Sequence, residues 1–293
     1  MPVFRWYYII FSIPIYLIAL IPRPFLYWFS DFLRFLFYHV IGYRKTVIFE
    51  NLRNSFPEKE EHWIKDTGYA YYQNMIDVIL ETIEMAVLPK SFYAKNLQVE
   101  GREVFEPFRT TGRPTILVCG HQGNWEWAGQ RLHQSGIQVD VLYHPLSSEW
   151  FNWFMYFIRA RHGIYPIPMA NTLRDMLARK AIPTATTFIA DQSPSSEGCH
   201  WMAFLNQDTP VFLGAEKLAK KFNYPVVFGD ILRLKRGKYK IRFYLVTANP
   251  KDTDQFWITE KHTDMLENSI KEQPETWLWS HRRWKHKRNL NHA

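Results

Sequence analysis

The stretch GHQGNWEW at residues 120–127 holds the residue types that acid–base chemistry needs. It follows TILVC (115–119), a short apolar run behind Gly112 and Pro114 that reads as a buried strand. Ligands of open α/β sheets bind at such strand ends, which makes His121 a candidate general base. Gly120 and Gly123 let the backbone turn sharply and approach a ligand. Asn124 is placed to cap a helix running to about Gln134. Glu126 falls in its first turn, where the helix dipole favours a carboxylate. A turn between the two brings Glu126 to one imidazole nitrogen, which fixes the tautomer and leaves the other nitrogen free as a base. The H-x4-E spacing alone is weak, because a structural histidine meets it as readily.

Further polar candidates stand near the same edge. Asp191 and Gln192 follow TATTFIA (184–190), a second buried strand, and should surface beside His121. An aspartate capping its own loop is the plainer reading of Asp191. Arg159 and Arg161, in RARHG (159–163), follow a helical stretch; a solvated arginine at a helix end is the plain alternative for either. No residues stand at metal-ligand spacing and no Gly-rich dinucleotide fingerprint occurs, so neither metal nor cofactor is expected. The two cysteines, Cys119 and Cys199, make no disulfide framework, and Cys119 reads as core. The body is therefore expected in a reducing compartment.

These candidates need a scaffold, and the pattern along the chain supplies one. A long helix is expected over 60–87, between Pro57 and Pro89. Strands are expected over 115–119, 137–143 and 184–190, with helices over 124–134, 149–161, 171–180 and 213–222. The runs 225–234 and 238–248 alternate around Gly237 as a hairpin, and 254–272 reads as the last long helix. Strands alternating with helices imply an α/β fold, a mixed central sheet flanked by helices.

The N-terminal region has a different character. Residues 3–22, VFRWYYIIFSIPIYLIALIP, hold one charge, Arg5, and a helix that long covers roughly 30 Å, enough for a bilayer core. A membrane helix is expected there, with a buried core helix as the competing reading. Residues 24–43 are aromatic but interrupted by Asp31, Arg34 and His39, which suits a helix in the membrane interface or one packed on the body. The expected division is a membrane anchor and interfacial helix over 1–45 and a catalytic domain over 46–293. The net charge of +8 sits at the two ends. Residues 1–49 carry Arg5, Arg23, Arg34, Arg44 and Lys45 against Asp31. Residues 281–293 carry Arg282, Arg283, Lys285, Lys287 and Arg288 and no acid. A nearly neutral body with basic ends suits an anionic lipid surface and argues against nucleic acid.

Four separated stretches then carry a resemblance: VIFENLRNSFPEKE (47–60), HQGNWEW (121–127), IADQSPSSEGCHWMAFLN (189–206) and QPETWLWSHRRWKHK (273–287). In order and spacing they resemble the bacterial lipid A late acyltransferases of the lauroyl/myristoyl type, a family related to phosphatidylinositol mannoside acyltransferases. The resemblance covers nearly the whole chain. It implies a glycerolipid-acyltransferase-like fold and transfer of a fatty acyl group from an acyl carrier protein thioester to a hydroxyl of a membrane glycolipid. The acyl carrier protein is then a partner and its thioester a co-substrate. The implied place is the inner membrane, with the body on the cytoplasmic face, as basic residues after the apolar run also suggest.

Under that reading His121 is the base for the acceptor hydroxyl and Glu126 its orienter. The oxyanion needs donors, either a backbone amide of the Gly-rich turn or an arginine, Arg159 ahead of Arg161. Asp191 matches an aspartate of the family and is expected to position the acceptor or the turn. Trp277 and Trp279 are expected to pack on the body, with the basic tail at lipid headgroups or on the acyl carrier protein. His281, Arg282 and Arg283 either face the site or meet lipid phosphates. Trp125 and Trp127 are bulkier than many members carry, and the loop QSPSSEGCHW lacks the usual glycines, which leaves the acceptor open. The alternatives are another membrane lipid acceptor, or a membrane-binding scaffold without catalysis.

Overall fold

The alternation of TILVC sends Ile116 and Val118 to one face of the sheet and Leu117 and Cys119 to the other, and all are buried. A strand buried on both faces must lie centrally, and this one does. The computed structural model describes residues 2–194 and 199–288. Residues 195–198, within the loop QSPSSEGCHW, and 289–293, the end of the basic tail, lie outside the described residues.

Nine strands are described: β1 (Leu97–Glu100), β2 (Thr115–Cys119), β3 (Gln138–Tyr143), β4 (Tyr165–Pro168), β5 (Thr184–Ile189), β6 (His200–Phe204), β7 (Gln207–Val211), β8 (Val226–Lys235) and β9 (Lys238–Thr247). Seven form one sheet in the order β1-β9-β8-β2-β5-β3-β4. All neighbours are parallel except the β8–β9 hairpin, so the sheet is mixed. The helices are α1 (Tyr7–Ala19), α2 (Arg23–Phe35), α3 (Lys45–Ser55), α4 (Glu61–Glu84), α5 (Lys90–Asn96), α6 (Glu106–Thr110), α7 (Trp125–Gln134), α8 (Glu149–Ala160), α9 (Thr172–Ala178), α10 (Gly214–Phe222) and α11 (Trp257–Glu272). Trp127 and Leu132 of α7 and Phe154 and Ile158 of α8 pack on one face of the sheet. Ala215 and Ala219 of α10 and Ile258 of α11 pack on the other. The result is an α/β fold with helices on both faces.

The strands and helices expected from Glu60 onward are present, and β1, β4, β6, β7, α3, α5 and α6 were not anticipated. β4 is an edge strand reading YPIP, where proline is tolerated because the missing N–H faces away from the sheet. The β6–β7 hairpin turns at Leu205 and Asn206, both with positive φ, without the Asn-Gly signal of such turns.

The N-terminus corrects the expected membrane helix over 3–22. Helix α1 has 13 residues, roughly 20 Å, and no single helix among the described residues is long and apolar enough to cross a membrane. Together α1 and the helical run Arg23–Ile41 pass on length and composition, but the two are bent by 101°. Pro14 lies inside α1, and the break comes after it, between Ala19 and Arg23. Helix α2, for which two placements were open, packs on α4.

That contact is polar. Asn74, Asp77, Glu81 and Glu84 are buried at helical spacing along one side of α4. Arg23 pairs with Glu84 at 2.9 Å, Tyr27 donates to Glu81 at 2.8 Å and Ser30 donates to Asp77 at 2.6 Å. Arg233 near the end of β8 and Arg236 in the β8–β9 turn both reach Asp77, at 2.6 and 2.7 Å. The outward side of α2 is apolar, with Phe25, Trp28, Phe32 and Phe35 exposed. Asp77→Ala strands two arginines against the core, so a loss of about 3 kcal/mol or more of unfolding free energy is expected in a urea titration.

Candidate active site

Sheet register brings the two main site residues together. Cys119 of β2 pairs with Ile189 of β5, and the Ala190 amide continues the ladder by donating to the Cys119 carbonyl at 3.1 Å. Two residues beyond that pair on each strand stand His121 and Asp191. The Asp191 carboxylate accepts from the His121 backbone N–H at 2.7 Å and lies 2.6 Å from His121 Nδ1. Its Oδ2 also accepts from the Trp277 indole at 2.8 Å. The expected contact of Glu126 with the imidazole is therefore corrected: Asp191 holds it. Burial opposes the Asp191 charge. The imidazole, the His121 amide and the Trp277 N–H outweigh it and draw the carboxyl down to about 2. An ionised Asp191 fixes the proton on Nδ1 and leaves the Nε2 lone pair to the site, where Gln192 Nε2 lies at a long 3.5 Å from it.

The turn carrying His121 is pinned on every side. A Cβ on Gly120 would meet Leu266 at 2.5 Å and Asp191 Oδ2 at 3.1 Å, so a side chain there would push the carboxylate away. Gly123 has φ +54°, and its N–H donates to the Thr276 carbonyl at 3.1 Å. Buried Gln122 donates to the Ser269 carbonyl and accepts from the Ser269 hydroxyl. Asn124 caps α7 by accepting from the Trp127 amide at 2.9 Å, and its side-chain N–H donates to Glu81 at 2.7 Å. The Trp127 indole donates to the Glu81 carbonyl at 2.9 Å. The active turn thus hangs from α4.

Glu126 points elsewhere than expected. Its carboxylate forms a two-pronged ion pair with Arg159 at the end of α8: Nε donates at 2.9 Å, and a terminal nitrogen reaches the second oxygen. Burial works against the Arg159 charge, but Glu126 more than offsets it and holds the guanidinium charged. The other terminal nitrogen of Arg159 makes no hydrogen bond among the described residues. Arg161 is committed to structure, donating to the carbonyls of Met85 and Leu88 at 3.0 and 2.9 Å. Of the two arginines, Arg159 alone borders the site. The turn amides of His121 and Gly123 are both engaged, which removes them as oxyanion donors.

Two apolar spaces meet at this point. One, of about 330 Å³, runs beneath α7 against the sheet, lined by Leu117, Leu132, Val141, Ile241 and Phe243. The other, of about 430 Å³, is a more open groove along α4 and α8. His121, Trp125, Glu126 and Arg159 border both. Among the described residues no group of three or more His, Cys, Asp or Glu is arranged to hold a metal.

The C-terminal stretch is part of the site. Trp277 and Trp279 are buried, as expected, but Arg283 is buried too and donates to the Pro210 carbonyl at 2.7 Å, so it does not reach lipid phosphates. His281 Nε2 accepts from the Ser193 amide at 3.2 Å and steadies the loop after Asp191. Of the two places open for His281, the site or lipid phosphates, the structure gives the site, whereas Trp277 and Glu81 were not expected as site residues because each is remote in sequence from His121.

A histidine hydrogen-bonded to a buried aspartate, with its other ring nitrogen turned to apolar space, defines a general-base centre for a hydrophobic substrate. The sequence model of the family described as bacterial lipid A biosynthesis acyltransferase matches residues 2–286, and the chain belongs to that family. The protein is an acyltransferase of that family. No curated protein matches the chain. Among solved structures, the 1-acyl-sn-glycerophosphate acyltransferase of Thermotoga maritima is similar at 13% identity and a TM-score of 0.38, over 91% of this chain and 99% of that one.

Two imidazoles, buried His262 and half-buried His281, set an acid limit. Burial pushes both His262 and His281 down to about 4; at His281 it is aided by Arg283, His121 and Lys285 and opposed by Asp191. The unfolded chain takes up these protons from about pH 6.5. Their contribution to stability is thus full above that pH and lost as pH falls toward 4. His281→Gln keeps an acceptor for Ser193 without the titration. Its stability, measured by urea midpoints at pH 7.5 and 5, is expected to fall less on acidification than that of the wild type.

Proposed function

We propose that this protein moves a fatty acyl group from an acyl carrier protein thioester to a hydroxyl of a lipid A precursor. The observation that carries the reading is the His121–Asp191 pair at the junction of two apolar spaces, in a chain of this family. His121 Nε2 takes the hydroxyl proton as the acceptor oxygen attacks the thioester carbonyl. Charge gathers on the carbonyl oxygen, where Arg159, held by Glu126, supplies a donor. The tetrahedral adduct collapses, the C–S bond breaks, and the leaving thiolate recovers the proton from the imidazolium. Gln192, close to Nε2, lies where it can orient the acceptor hydroxyl. The space under α7 suits the acyl chain of the thioester, because the part of it against the sheet is lined by Leu117, Leu132, Val141, Ile241 and Phe243 and it reaches His121. The reaction calls for no cofactor.

A membrane surface suits both substrates. Helix α2 buries Ser30 and its ion-paired Arg23 beside Leu26 and turns Phe25, Trp28, Phe32 and Phe35 outward, where a helix on a protein in water would carry polar groups. Helix α1 likewise exposes Ile9, Ile10, Phe11, Ile13, Leu17 and Leu20. A contiguous apolar face of this kind marks an interaction surface. The bent pair is best read as lying in the cytoplasmic leaflet of the inner membrane, with exposed Lys285, Lys287 and Arg288 near anionic headgroups. The same basic residues offer contact to an acidic acyl carrier protein.

His121→Ala is expected to remain folded, by circular dichroism, with acyl transfer reduced by ~10²-fold or more. Transfer at the wild-type rate would remove the proposed base. Mass spectrometry of lipid extracts from cells with and without the protein tests the acceptor: one added acyl group on lipid A is expected, and a change confined to another lipid class would move the assignment to that class. Flotation on phosphatidylethanolamine–phosphatidylglycerol vesicles tests the surface. The wild type is expected to stay bound in 1 M salt. A Phe25→Ser, Trp28→Ser, Phe32→Ser variant is expected to retain only binding that salt removes, because charge attraction is screened over about 3 Å at that strength.

A further inference from the structure

We infer that the small cavity behind the Asp191 carboxylate binds one water, and that Arg283 acts through it as a positioning residue for the His121–Asp191 pair. This rests on the general-base reading of His121 and extends it to the far side of the acid that holds the imidazole. The cavity lies between the central sheet and α11, bordered by Asp191, Arg283, His262, Cys119 and apolar side chains such as Val118 and Leu266; His121 does not border it. Its volume is about 10 Å³, room for one water.

Three observations assign the occupant. The first is a set of orphaned polar atoms around this one cavity. Arg283 is 2% exposed, and the only hydrogen bond of its side chain among the described residues runs from Nη2 to the Pro210 carbonyl, so Nε and Nη1 are left without acceptors. Buried His262 has its Nε2 unpartnered as well. Buried polar atoms are nearly always satisfied, by ordered water where no protein group reaches them. The second is spare capacity on the acid. Asp191 Oδ2 accepts from the His121 amide and the Trp277 indole, whereas Oδ1 accepts only from the His121 ring. The third is charge. Arg283 repels a cation and Asp191 repels an anion, but a water accepts from the guanidinium, donates to the carboxylate and pairs with His262 Nε2.

The consequence for the pair is electrostatic. The Asp191 charge draws a proton onto the imidazole, and the Arg283 charge opposes it. Burial pushes the guanidinium down to about 10, with Asp191 working against that push, so Arg283 stays charged at neutral pH. The other titratable groups facing Asp191 and Arg283 are Cys119 at the end of β2, Cys199 just before β6, His262 of α11, and His281 with Lys285 beyond it. Burial holds Cys119 up at about 12 and draws His262 and His281 down to about 4, so these three keep their charge state around neutrality. The acid limb of the rate profile there reports the His121–Asp191 pair.

Two measurements on the full-length protein test this. A crystal structure at a resolution that shows ordered solvent is expected to place one water within hydrogen-bond distance of both Arg283 and Asp191. Crystals grown in sodium bromide are expected to give no anomalous peak there. A cavity without water, or one holding bromide, would overturn the site. The second measurement is kcat/KM for acyl transfer against pH. Arg283→Met removes the charge, so the imidazole keeps its proton to higher pH and the acid limb is expected to move up by about one unit, a loss of about tenfold near pH 6 that narrows to about twofold near pH 8. Arg283→Lys retains the charge and is expected to leave the limb where the wild type has it. Arg283→Gln serves if Arg283→Met does not fold. Rates of Arg283→Met that fall alike at every pH would make the residue structural and overturn its positioning role. The water is seen whether or not transfer occurs, and a wild type that acylates no lipid would instead refute the acyl-transfer reading by itself.

Discussion

The Asp191 carboxylate is the constraint on which the site depends. It lies 5% exposed at the carboxyl end of β5 and takes bonds from the His121 amide, the His121 ring and the Trp277 indole. Three chain segments, the ends of β2 and β5 and the C-terminal stretch, are thereby joined at one acid. A buried carboxylate without donors would take up a proton, and this one stays ionised because its donors are all supplied. Its charge in turn decides which imidazole nitrogen carries the proton. Geometry, electrostatics and chemistry at His121 thus have a single origin.

The support behind that acid is also polar and buried. Glu81 on α4 accepts from Tyr27, Asn124 and Tyr239, and burial still pushes it up to about 6. Through Asn124 it sets the start of α7 and hence the position of Glu126. The same stripe of α4 holds α2 through Glu84 and Asp77. The N-terminal helices are therefore more than an attachment: the residues that fasten them also fasten the active turn. Such a network, with its members satisfied, rigidifies a core more than apolar packing alone.

Division of labour between the two arginines follows from where α8 ends. Arg159 is the last-turn residue that faces back over α7, so it meets Glu126 and the junction of the two apolar spaces. Arg161, two residues on, is carried to the opposite side and closes carbonyls after α4. Positions two apart on a helical path do not share a face.

Apolar periodicity, glycine turns and capping residues are local, and they were legible in the sequence. The long helix before Pro89, the buried strands at 115–119 and 184–190, the hairpin around Gly237 and the Asn124 cap all express preferences within a few residues of themselves. The motif stretches made the family and His121 legible as well. The edge strand YPIP and the turn at Leu205–Asn206 lacked local signals and were not. Strand order is non-local, and it decided the chemistry. Because β5 lies between β2 and β3, Asp191 stands opposite His121, and Glu126, five residues away in sequence, is turned by α7 toward Arg159 instead. The sequence by itself determined which groups are present and which elements carry them. The tertiary structure alone decided which carboxylate meets the imidazole, because that pairing is made by sheet register between strands about seventy residues apart.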